Sequence, residues 1–221
     1  MDELEKASIK AAEFLKRGSE YLEKGDYDNA IADCNEAIRL TFDDDFDAFV
    51  YFVRGIAYSN KKDYDNAIAD FNKIIRLDPS HDLIIAYIGE DAYFNRGIAY
   101  SNKKDYGNAI GDFTEVIRLN PNNEGAYFHR GFAYIDKKDY DHAIGDFTEV
   151  IRLNPNNEGA YFHRGIAYTN KKDYDNAIAD FEASLKINPN NAVPKKILDS
   201  IRKSKGVQEC LSPSRSFSAG G

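Results

Sequence analysis

Apolar residues recur three and four apart along this chain in paired runs, and the paired pattern itself repeats every 34 residues. An apolar position at every third or fourth residue marks a helix with one buried face. Aligned on a recurring glycine, the pattern divides residues 11–44, 48–81, 90–123, 124–157 and 158–191 into five repeats, with insertions of 3 and 8 residues after the first and second. Numbered from 1 to 34 within each repeat, positions 4, 8 and 11 (Tyr127, Gly131 and Tyr134 in the fourth) share one face, and positions 17, 20, 24, 27 and 28 share another. Two amphipathic helices per repeat follow. Lys-Lys-Asp separates them in four repeats, Lys61, Lys62 and Asp63 being one instance, which places cations at the end of one helix and a capping carboxylate before the next. So short a turn makes the two helices antiparallel. Asp-Pro or Asn-Pro closes the second helix in repeats 2 to 5, at Pro79, Pro121, Pro155 and Pro189, because the residue before proline is pushed out of helical space.

The period is exact over one stretch. Ala109 to Gly131 and Ala143 to Gly165 are the same 23 residues, AIGDFTEVIRLNPNNEGAYFHRG, offset by 34. Self-similarity at such a spacing signals stacked units that bury their apolar faces only against one another. Position 8 is glycine throughout (Gly18, Gly55, Gly97, Gly131, Gly165), facing an invariant alanine at position 20 and Cys34, Phe71, Phe113, Phe147 or Phe181 at position 24. Small residues there let two helices approach closely. Arg17, Arg54, Arg96, Arg130 and Arg164 at position 7 accompany Asp33, Asp70, Asp112, Asp146 and Asp180 at position 23, so an ion pair between the two helices of each repeat is expected.

This combination of G-x2-Y, A-x3-F and a closing proline at a 34-residue period resembles the tetratricopeptide repeat over residues 11–191. The chain departs from the family pattern with Phe or Tyr for the Trp at position 4, Arg for the Leu at position 7, and Phe42 in place of the closing proline of repeat 1. The resemblance implies an all-α fold: a right-handed solenoid of helix-turn-helix repeats, five units plus a C-terminal capping helix, forming a single domain over 1–205. Val193, Ile197 and Ile201 at helical spacing mark the capping helix over 192–205, residues 206–221 read as a flexible tail, and residues 2–10 extend the first helix.

Composition narrows the function. A net charge of −8 with dispersed basic residues disfavours nucleic acid. No run of 18 apolar residues is present, so no membrane span is expected, and the acidic start lacks a secretory signal pattern, which makes a cytoplasmic protein the expectation. Cys34 and Cys210 form neither a disulfide framework nor a metal spacing. No paired acid and base and no phosphate-cradling glycine loop stands out, so the chain reads as non-catalytic, with no cofactor or metal.

If the repeats wind as in the family, the first helices line a groove, positions 2, 5, 6, 9, 12 and 13 look into it, and those columns become the site. Phe52, Phe94, Phe128 and Phe162 at position 5, with Ile56, Ile98, Phe132 and Ile166 at position 9, give an apolar and aromatic wall. Asn95, His129 and His163 at position 6, with Asn60, Asn102 and Asn170 at position 13, give a polar rail. Such a surface suits an extended peptide or a helix, and the reading is a protein-interaction scaffold. The carboxylate clamp of chaperone-binding family members needs Lys at position 5 and Asn at position 9. Repeat 1 offers Leu15 and Ser19, so a chaperone C-terminal tail is disfavoured. The 8-residue insertion 82–89 supports a competing reading, a self-assembling structural protein that forms homo-oligomers through Leu83, Ile84, Tyr87 and Ile88.

Overall fold

The computed structural model describes residues 2–41, 44–77 and 83–211, and the side chains of all of these except 44, 83–87 and 204–211. Every regular element among them is an α-helix. They run α1 Glu3–Glu23, α2 Tyr27–Leu40, α3 Asp44–Asn60, α4 Tyr64–Ile75, α5 Leu83–Asn102, α6 Tyr106–Leu119, α7 Glu124–Asp136, α8 Tyr140–Leu153, α9 Glu158–Asn170, α10 Tyr174–Ile187 and α11 Ala192–Leu211. Odd-numbered helices up to α9 are the first helices of the repeats, and even-numbered ones are the second. The chain divides into two compact units, Met1–Lys137 and Lys138–Gly221.

Local chemistry sets the helix ends. Asp26, Asp63, Asp105, Asp139 and Asp173 cap the second helices, their side chains accepting from the backbone N–H three residues on. Lys62, Lys104, Lys138 and Lys172 take left-handed backbone with φ between 61° and 64°, where repeat 1 has Gly25 at 75°. In repeats 2, 3 and 5 this closes the first helix with paired bonds, as in Lys62 N–H to Ser59 O at 2.9 Å and Asp63 N–H to Tyr58 O at 2.9 Å. The 8-residue insertion does not form a separate helix. Its residues 83–89 are the first part of α5, whose 20 residues run unbroken through Gly89. The capping helix also runs past the expected end at 205, to Leu211. One glycine, Gly206, costs a helix about 1 kcal/mol without stopping it, and residues 212–221 of the expected tail lie outside the described residues.

In repeats 1, 2, 3 and 5 the core is a row of contacts between the two helices of the repeat. Phe71, Phe113, Phe147 and Phe181 are fully buried, as are Ala30, Ala67, Ala109, Ala143 and Ala177. A Cβ placed on Gly55, Gly97 or Gly165 would stand 2.9 Å from the Cε1 of Phe71, Phe113 or Phe181, which is why no side chain occupies position 8. In repeat 1 the smaller Cys34 takes the phenylalanine's place, and burial pushes its thiol up to about 12. Position 22 behaves differently. A Cβ added to Gly111 or Gly145 would meet nothing within 4 Å, and the other repeats carry Ala32, Ala69 and Ala179 there. Gly111→Ala and Gly145→Ala are each expected to stabilise the protein by about 0.5–1 kcal/mol, read as a raised urea midpoint. A lowered midpoint in either would show that the glycine meets something on folding.

Candidate functional site

The arginine column is structural. Arg54 donates from Nε and Nη2 to Asp70 at 2.8 and 2.6 Å, Arg96 to Asp112 at 2.8 and 2.6 Å, and Arg164 to Asp180 at 2.8 and 2.8 Å, while Arg17 holds Asp33 likewise. These aspartates are buried, Asp70 at 4% and Asp112 at 5% exposure, so the bidentate pair satisfies a charge already out of water. In repeats 2 to 5 the guanidinium also reaches back to the second helix of the preceding repeat: Arg54 Nη1 to Asn35 at 2.5 Å, Arg96 to Asn72, Arg130 Nη1 to Thr114 at 3.0 Å and Arg164 Nη1 to Thr148 at 2.9 Å. The planes of Arg54, Arg96 and Arg164 lie near Tyr51, Tyr93 and Tyr161 at 5.4, 5.3 and 5.8 Å.

Further ties, some within a repeat and some between repeats, escape the sequence pattern. Glu90 Oε1 accepts from Asn120 and Asn123 at 3.0 and 2.9 Å, and Glu158 Oε1 accepts from Ser184 and Asn191 at 3.1 and 2.6 Å. Lys61, Lys103 and Lys171 pair with Asp28, Asp65 and Asp141 of the preceding repeats. The recurrence of Glu at position 1 is the one signal that could have revealed the first set.

With those groups committed, one strip of each first helix is left at least partly exposed at several positions. In α5, Gly97 faces α6, and Ile88 and Ala92 join Ala67, Phe71 and Ile74 of α4 in one buried cluster. Asp91, Asn95, Ile98 and Asn102, spaced four, three and four apart, form the remaining stripe. The same positions are Ala12, Lys16, Ser19 and Glu23 in α1, Phe49, Val53, Ile56 and Asn60 in α3, and Gly125, His129, Phe132 and Asp136 in α7. α1 touches α3, α3 touches α5 and α5 touches α7, so these stripes form one surface within Met1–Lys137. Phe49, at groove-facing position 2, is 40% exposed on it. In the second unit α9 presents Gly159, His163, Ile166 and Asn170.

Several of the expected site residues lie beside this stripe. Phe52 packs edge-on against Phe71 with ring centroids 6.2 Å apart, Phe94 against Phe113 at 5.8 Å, and Phe162 against Phe181 at 5.9 Å. Phe128 meets Phe132 at 5.0 Å. These half-buried rings form the shoulders of the surface. The polar rail is turned partly inward: Asn60, Asn95 and Asn170 each use one amide N–H on a backbone carbonyl of their own helix, at 2.9, 2.8 and 2.9 Å, while Asn102 is exposed.

The histidines also pack. His129 stacks on Phe113 at 5.7 Å and His163 on Phe147 at 5.9 Å, joining a first helix to the second helix of the preceding repeat. Burial lowers the pKa of both, that of His163 to about 4. Since the folded value lies below the ordinary 6.5, the unfolded chain gains a proton first as pH falls, and stability is lost between about pH 6.5 and 4. For His163 the loss is expected to be roughly 2–3 kcal/mol. His163→Phe should flatten that acid limb. Urea midpoints at pH 7 and 4.5 that fall equally in both proteins would contradict this.

Among the described residues no group of three or more His, Cys, Asp or Glu is arranged to hold a metal, and no helix is long and apolar enough to cross a membrane. In the second unit an open cleft of about 450 Å³ is lined by Pro155, Asn156, Tyr161, Ala183, Lys186 and Ile187.

A family model described as tetratricopeptide repeat matches residues 48–81, 90–123, 125–157 and 159–191, and a second model of the same description matches 14–44. Comparison with curated proteins returns no match. Among solved structures, MamA 41-end from Desulfovibrio magneticus RS-1 superposes with a TM-score of 0.72 at 23% identity, covering 81% of this chain and 96% of that one. YrrB, described as a TPR protein with an unusual peptide-binding site, gives 0.70 at 19% identity, covering 89% and 97%. The first TPR of Spaghetti (RPAP3), bound to the HSP90 peptide SRMEEVD, gives 0.51 at 26% identity, covering 53% and 93%.

Proposed function

The chain belongs to the tetratricopeptide repeat family, and on that premise we propose that it is a non-catalytic protein-interaction scaffold whose uncovered first-helix surface holds an extended peptide or a helix. The repeat is generally a non-enzymatic interaction fold. The observation that supports the reading is the stripe within Met1–Lys137 that carries the exposed Phe49 and the half-buried Val53, Ile56, Ile98 and Phe132, together with the amides of Asn60, Asn95 and Asn102. Buried arginines and stacked histidines hold that surface in place rather than reading the ligand. In the second unit Ile166 and Asn170 offer the same elements on α9.

Nothing in the described residues favours self-assembly through the insertion. Ile88, 6% exposed, lies in the cluster with Phe71 and Ile74, and the side chains of Leu83, Ile84 and Tyr87 lie outside the described residues. A chaperone tail of the kind bound by RPAP3 finds Leu15 and Ser19 where a clamp would need Lys and Asn.

Selection of 12-residue peptides from a random display library on the purified protein tests the reading. Selected peptides should lose about tenfold or more in affinity for the Ile98→Ser, Phe132→Ser double variant, since two half-buried apolar contacts are removed. Val193→Ser, a substitution on exposed surface of α11, should leave affinity unchanged. Equal binding by all three proteins would place the peptides elsewhere and overturn the proposal.

A further inference from the structure

The cleft in the second unit marks a place where repeat 5 departs from the other repeats. It is lined by Tyr161, at position 4, and by Ala183, Lys186 and Ile187, at positions 26, 29 and 30, with Pro155 and Asn156 from the preceding turn. Repeat 2 has Lys73 at position 26, and its ammonium lies over the ring of Tyr51, the position-4 tyrosine, at 5.7 Å. Repeats 1, 3 and 4 have glutamate at position 26, paired with the arginine at position 29. Arg39 donates to Glu36 at 3.3 Å, Arg118 to Glu115 at 2.8 Å and Arg152 to Glu149 at 2.7 Å. A long side chain at position 26 thus covers the tyrosine in repeat 2 and neutralises the position-29 cation in repeats 1, 3 and 4. Ala183 can do neither.

The opening it leaves, about 450 Å³, falls within the roughly 300–1,000 Å³ that small-ligand sites occupy. Ile187, 37% exposed, and the half-buried Tyr161 give it apolar walls, and Lys186 gives it a positive charge. Carboxylates close by in sequence are engaged elsewhere: Glu182 accepts from Arg202 at 2.5 Å, and Glu158 from Ser184 and Asn191 at 3.1 and 2.6 Å. The Tyr161 wall is fixed, since the Arg164 guanidinium 5.8 Å from its ring is itself bonded to Asp180 and Thr148.

We propose that this cleft binds a small apolar carboxylic acid, aromatic or branched aliphatic, whose hydrocarbon part lies against Tyr161 and Ile187 and whose carboxylate meets Lys186. The ligand takes the place of the missing glutamate, its carboxylate standing to Lys186 as Glu115 and Glu149 stand to Arg118 and Arg152. Apolar burial on the walls supplies most of the affinity, and the ion pair, open to water, adds about fivefold at most. The site lies outside the first-helix surface of Met1–Lys137 and does not depend on it.

Titration of the isotope-labelled full chain with hydrocinnamate, a phenyl ring on a propionate, tests the site through backbone amide shifts. Shifts should concentrate at Tyr161, Ala183, Lys186 and Ile187 and saturate with a dissociation constant on the order of 1 mM. The uncharged hydrocinnamide should bind about fivefold more weakly, and Lys186→Gln should remove that preference. Ala183→Glu restores the residue that repeats 3 and 4 carry, so it should unfold at the wild-type urea concentration while losing saturable binding. No saturable shifts in the wild type, equal binding of acid and amide, or undiminished binding by Ala183→Glu would each overturn the proposal. Tighter binding of acetyl-Gly-Gly-Phe with a free carboxylate would assign the cleft to a peptide end and overturn the small-acid reading. Ile98→Ser, Phe132→Ser should leave hydrocinnamate binding unchanged, which keeps failure here distinct from failure of the peptide surface.

Discussion

Arg96→Met is expected to destabilise the protein by about 3–5 kcal/mol, the cost of leaving a buried carboxylate without its cation. Asp112, 5% exposed, receives two bonds from that guanidinium and would lose both with it. The same substitution strands Asn72 on α4, so repeats 2 and 3 lose part of their joint as well. A methionine stem can still fill the space along Tyr93, which confines the loss to charge and hydrogen bonding. Urea unfolding followed by circular dichroism reads the effect. Because repeats are coupled mainly to neighbours, the curve should broaden or split as the joint weakens. Arg96→Met with Asp112→Leu removes both charges and should recover most of the stability. A single variant within 1 kcal/mol of wild type would mean that water reaches Asp112 without the arginine.

Gly97→Val should cost about 3 kcal/mol, at the upper end of overpacking. The new Cβ would stand 2.9 Å from Cε1 and 3.0 Å from Cζ of Phe113, and its two methyl groups would need room as well. That ring cannot yield freely, being fully buried with Phe94 on one side at 5.8 Å and His129 stacked at 5.7 Å. Phe113→Leu in the same chain should therefore restore part of the loss. Repeat 1 supplies an internal control: a Cβ on Gly18 meets Cys34 Sγ at 3.4 Å, a contact that small adjustment relieves. Gly18→Ala should be close to neutral while Gly97→Ala is plainly destabilising. Equal urea midpoints for these two alanine variants would show that the phenylalanine does not set the spacing.

What the sequence makes legible is whatever acts within one repeat. Gly97 against Phe113, Arg96 against Asp112 and the Asp105 cap each depend on two residues a fixed distance apart in one hairpin, so they recur as columns. Contacts between repeats are harder to read, because they depend on which faces meet at the packing angle and not on the period alone. His129 falls at a groove position by count, yet its ring turns onto Phe113 of the preceding repeat. Asn95 and Asn60 belong to the expected polar rail, and the helix carbonyl four residues back takes part of their capacity. Positions 5 and 9 are the expected wall, whereas Phe52, Phe94 and Phe162 at position 5 lean onto the buried phenylalanines, and Phe49 at position 2, also a groove column, is the more exposed ring.

The reach of each arginine into the preceding repeat bears on how such a chain lengthens. Arg130 bonds Thr114 and Arg164 bonds Thr148, and in both cases plug and socket lie inside the same duplicated 23-residue block. Copying that block copies both halves of the joint at once, so a new unit arrives already able to grip its predecessor and to be gripped by its successor. At the last repeat the socket position holds Glu182, which takes Arg202 of α11 at 2.5 Å. A gene that grows by tandem duplication needs no compensating substitutions inside the array under this arrangement, and adaptation is left to the terminal socket alone.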